Sequence, residues 1–67
     1  MTANRWLLTV YWEHIPKTTY LFFDLRLALQ TADLVKRTRP HVKITLIRKE
    51  LTKEQCEVVL RTGQLPI

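Results

Sequence analysis

Apolar and polar positions divide the chain into stretches that alternate and stretches with a helical period. Between Arg5 and Glu13, Trp6, Leu8, Val10 and Trp12 fall on one side and Leu7, Thr9 and Tyr11 on the other, the pattern of a strand. Pro16, within His14-Ile15-Pro16-Lys17, breaks that strand and suits the first central position of a turn. A hairpin follows, with a second strand over 18–23. A loop of two or four residues puts Trp12 and Val10 on one face with Leu21 and Phe23, and Tyr11 with Tyr20 and Phe22. A three-residue loop exchanges the second-strand partners.

Asp24 stands at an N-cap position before a helix predicted over 25–39, which Pro40 limits. On a helical wheel Leu25, Ala28, Leu29, Ala32 and Val35 form one stripe, with Leu27 and Leu34 almost opposite Leu25. Arg26, Gln30, Asp33 and Arg37 make the only clean polar stripe. Alternation resumes over 42–49, giving a third strand with Val42, Ile44 and Leu46 facing one way and Lys43, Thr45 and Ile47 the other. Thr52-Lys53-Glu54-Gln55 fits a capping box, and Gly63 suits a left-handed helix stop, so a short helix over 53–62 is expected. Residues 64–67 are then a tail.

The order ββαβα predicts one α+β domain with a three-stranded, antiparallel or mixed sheet. A right-handed crossover through the long helix returns the third strand beside the first, giving sheet order 2-1-3. The first strand, apolar on both faces and free of proline and glycine, suits the centre. The long helix then covers one sheet face. The short helix either crosses the other face or covers Leu27 and Leu34. Trp12 and Leu29 read as core residues whose truncation to alanine should cost about 2–5 kcal/mol.

Length changes this picture, because a chain of 67 residues has a marginal core. Cys56 is the only cysteine, which excludes an internal disulfide and suits a reducing, cytoplasmic setting. With His14 and His41 it makes no recognisable metal motif, so neither metal nor cofactor is expected. Self-association is the remaining source of stability. The apolar stretch before Glu13 is too short to span a bilayer and lacks a signal-peptide cleavage pattern, so no membrane partner is expected.

Catalytic chemistry finds little to work with. There is no serine, neither histidine neighbours Cys56, and Glu54 and Glu57 read as solvated helix acids. One glycine cannot build a phosphate-cradling loop, so no enzyme activity and no small-molecule substrate are expected. Surplus apolar surface points instead to a protein partner or a second copy, met through Leu7, Tyr11, Tyr20, Phe22, Leu27, Leu34 and Ile47. A small protein of this kind suits a regulator or inhibitor, including those encoded by phages and plasmids. The formal net charge of +5 opens an alternative. In it, Lys36, Arg37, Arg39 and Lys43, with Arg48, Lys49 and Lys53, bind nucleic acid weakly through phosphates, without reading sequence.

Overall fold

In the computed structural model, which describes residues 1–64, the elements are β1 (Thr2–Tyr11), β2 (Thr18–Phe22), α1 (Leu25–Thr38), β3 (Lys43–Thr52) and α2 (Lys53–Thr62). The three strands form one sheet in the order β2-β1-β3, and β1 runs antiparallel to both neighbours. β2 and β3 are therefore parallel to each other, as the crossover through α1 requires.

β1 begins three residues before the position its apolar alternation marks and ends two residues sooner. Pairing explains the early start. β3 continues to Thr52, and its register with β1 runs without interruption from Tyr11↔Lys43 to Thr2↔Thr52. Thr2, Ala3 and Asn4 are held by that ladder, not by an apolar signal of their own.

The β1–β2 register, Trp6↔Phe22 through Val10↔Thr18, pairs residues of like parity. Of the two hairpin alternatives it selects the odd-loop one. Val10, Tyr20 and Phe22 share a face, while Tyr11 lies with Thr19 and Leu21 on the other.

Each face carries its own small core. On one, Leu8, Val10 and Val42 are buried, with Trp12, Phe22, Ile44 and Leu46 around them and Ala32 and Val35 of α1 above. On the other, Leu7, Leu51 and Val59 are buried with Leu21 and Cys56 beside them, so α2 packs on the face opposite α1. On that same α2 face Thr9 and Thr19, both buried, share a hydroxyl–hydroxyl hydrogen bond of 2.9 Å across the two strands.

Both helices start on the caps their sequences specify. Asp24, extended at φ −129° and ψ 127°, accepts the Arg26 amide at 3.0 Å on Oδ1. At α2 the Thr52 hydroxyl accepts the Gln55 amide at 3.1 Å, and Gln55 Oε1 accepts the Thr52 amide at 2.9 Å. Gly63 ends α2 at φ 68°, and its amide donates to Val59 O at 2.8 Å.

That end also covers part of one margin of the sheet. Gly63 O accepts the outward amide of Thr19 on β2 at 2.7 Å, and Gln64 Nε2 donates to Lys17 O at 2.8 Å. The C-terminal cap thus occupies backbone groups that an edge strand would otherwise leave bare.

Candidate protein-binding surface

α1 rests on the sheet through small side chains. Ala28 is fully buried, and Ala32 and Val35 pack on the core beneath it. Leu25 and Leu29, which the wheel assigns to the packed stripe, lie on its margin and are 37% and 52% exposed. Leu29 is therefore not a core residue. Trp12 is half-buried at the end of β1, its indole N–H 3.3 Å from Thr18 Oγ1, and so is a weaker anchor than its alternation suggests. On the other flank of α1, Leu27 and Leu34 are 53% and 61% exposed, two turns apart on the same side of the helix.

The helix is thus inverted in size, with its alanines inward and its leucines outward. Pattern reading alone could not separate these, because Ala28 and Leu29 are adjacent members of one apolar stripe. The signal that does separate them is volume. A helix lying close on a sheet has room for alanine at the contact line and not for leucine.

The sheet residues expected to act together are divided by the register. Leu7 is sealed beneath α2 and presents nothing to a partner. Tyr11 and Ile47 lie on that same α2 side, partly exposed beyond the helix, whereas Tyr20 and Phe22 lie on the α1 side. No single face therefore gathers the three aromatic residues. Large apolar side chains outside the expected set also reach solvent, including Phe23 at the end of β2 and Leu60 of α2.

The basic residues are dispersed and mostly engaged. Lys36 Nζ donates to Val42 O at 2.6 Å, Arg37 pairs with Asp33 at 3.0 Å, and Arg39 lies over the Trp12 ring at 5.7 Å. Lys43 and Lys17 both approach the Tyr11 ring, at 5.7 and 5.8 Å from its centroid. Arg48 and Lys49, consecutive on β3, point to opposite faces, and Lys53 opens α2. The chain matches no protein-family model, no curated protein and no solved structure.

One acidic residue gathers both histidines. Glu13 lies 3.0 Å from His41 Nε2 and 3.7 Å from His14 Nε2, at the rim of a cavity of about 320 Å³ lined also by Trp12, Ile15 and Arg39. All three side chains of this cluster are more than half exposed. Among the described residues no group of three or more His, Cys, Asp or Glu side chains is arranged to hold a metal ion, and no helix is long and apolar enough to cross a membrane.

Proposed function

We propose that the chain is a non-enzymatic protein–protein interaction module, of a regulator or inhibitor type, that meets a protein partner or a second copy through the solvent-facing leucines of α1. The observation that carries this reading is the inverted helix: Leu27 and Leu34 stand outside while Ala28 and Ala32 occupy the contact with the sheet. A helix evolving only to cover a sheet has no use for large apolar side chains on its outer flank. Two large apolar side chains repeated on one solvent-facing flank are the kind of exposed surface that an interface covers.

The size of the gain sets the expected strength. Burying a leucine fully is worth about 1.5–3 kcal/mol, and little more than half of each side chain remains to be covered here. A pairing of two copies through Leu27 and Leu34 alone therefore gains about 3–7 kcal/mol, against an association cost of about 4–15 kcal/mol. Self-pairing through this flank should be weak and concentration-dependent, and a tight complex requires a partner that covers more surface.

Sedimentation velocity over a concentration series, together with affinity capture from the source cell, tests this. Wild type should associate with itself or retain a protein partner. Leu27→Arg/Leu34→Arg should lose that association with an unchanged circular dichroism spectrum. A wild type that stays monomeric, and captures nothing that the double variant does not, would end the reading.

A further inference from the structure

The two margins of the sheet are treated differently. β2 is short, and part of its outward side, the Thr19 amide and the carbonyl of Lys17 just before it, is occupied by the end of α2. β3 is ten residues long, contains neither proline nor glycine, and has a single register with β1 along its whole length.

Two contacts show which of its backbone groups point outward. Val42, just before β3, donates its amide to Arg39 O at 3.1 Å and accepts Lys36 Nζ on its carbonyl, while Thr52 donates its amide to Gln55 Oε1. In an antiparallel ladder outward and inward residues alternate, so Ile44, Leu46, Arg48 and Glu50 also turn their N–H and C=O away from β1. None of these groups has a hydrogen-bond partner among the described residues. The result is an open slot about 20 Å long, closed at one end by Lys36 and at the other by the capping box.

We propose that this edge of β3 receives an extended, acidic segment of another protein as a fourth, antiparallel strand. Charge chooses the occupant. β3 carries Lys43, Arg48 and Lys49 against Glu50 alone, so pairing the edges of two copies would bring six cations and two anions together. Like charges across paired strands are destabilising, and cationic edges are a recognised defence against self-pairing. The same cations attract an acidic strand.

Side-chain positions add to the specification. On the α2 side a guest strand lies beside Lys43, Thr45, Ile47 and Lys49, with Ile47 45% exposed. On the α1 side it meets the half-buried Ile44 and Leu46, then Arg48. The matching guest therefore has acidic residues opposite Lys43, Arg48 and Lys49 and β-branched apolar residues opposite Ile44, Leu46 and Ile47. This slot is separate from the outer flank of α1, and either surface can fail as a binding site without the other.

The probe is the capped peptide Thr-Glu-Asp-Val-Val-Thr-Val-Glu, whose order places those residues opposite positions 50 to 43. Titration into isotope-labelled protein should move amide resonances of residues 43–50 and protect the outward amides of Ile44, Leu46, Arg48 and Glu50 from exchange. N-methylation at the two guest positions opposite Leu46 and Arg48 should weaken binding about tenfold or more. N-methylation opposite Thr45 and Ile47, where guest amides point away, should leave it unchanged. Lys43→Glu/Lys49→Glu should weaken the acidic peptide several-fold and favour a lysine-bearing version of it. Equal binding by the two methylated peptides, shifts confined to other elements, or no shift at about 1 mM peptide would each overturn the proposal.

Discussion

The inverted packing of α1 makes a pair of adjacent residues respond in opposite ways to changes of size. Leu29→Ala removes a side chain that is already 52% exposed, so the loss is about half of the 1.5–3 kcal/mol for a buried leucine, or about 1 kcal/mol. Ala28→Leu adds bulk at a fully buried position, where overpacking costs about 1–3 kcal/mol. Neither change disturbs helix propensity much, because alanine and leucine are both strong helix formers. For a domain of this length total stability is about 3–10 kcal/mol, so the second substitution is a large fraction of the whole. Urea unfolding followed by circular dichroism at low protein concentration should move the midpoint by about 1 M for Leu29→Ala and by up to about 3 M for Ala28→Leu, with m unchanged near 1 kcal/mol/M. A larger loss for Leu29→Ala than for Ala28→Leu would mean that leucine, not alanine, lies at the sheet. The inverted-helix argument for an interface would then fall.

Other consequences are equally measurable. Thr9→Val should leave the buried Thr19 hydroxyl without its 2.9 Å partner at a cost of about 1–3 kcal/mol, while Thr9→Val/Thr19→Val should recover most of it in a double-mutant cycle. Gly63→Ala should destabilise by about 1–2 kcal/mol in thermal unfolding, because φ is 68° and a β-carbon there would sit 3.2 Å from Thr18 Cγ2. Binding to single-stranded DNA in mobility-shift assays should be weak, indifferent to sequence and steeply salt-sensitive, because the cations fan out over several elements. A sequence-specific complex surviving about 0.2 M salt would contradict that expectation.

Sheet order and helix limits were legible because several independent signals agree. Asp24, the Thr52–Gln55 box, Gly63 and Pro40 each mark a boundary by local chemistry, and the double-sided apolarity of β1 marks the centre of the sheet. What was not legible depended on partners distant in sequence. Thr2 to Asn4 belong to β1 only because β3 continues to Thr52, and the parity of the hairpin loop decides which face Tyr20 and Phe22 occupy. Leu7 looked available because alternation along β1 does not reveal that Val59 of α2 covers it. The unequal margins of the sheet were invisible in the same way, since they arise from where the end of α2 lands.

The placement of β1 between a near neighbour and a late one has a consequence for the order in which the chain acquires its structure. β2 follows β1 after a short turn, so one side of β1 can be satisfied early by local hairpin closure. Its other side waits for β3, and the last rung joins Thr2 to Thr52 across most of the sequence. Until β3 docks, an apolar strand therefore remains half-paired. Closure of that long loop, and not formation of either helix, should limit the folding rate, as expected where non-local pairing dominates. The interval is also when the chain is most open to misassociation, since the half-built sheet exposes β1 itself along its unpaired side.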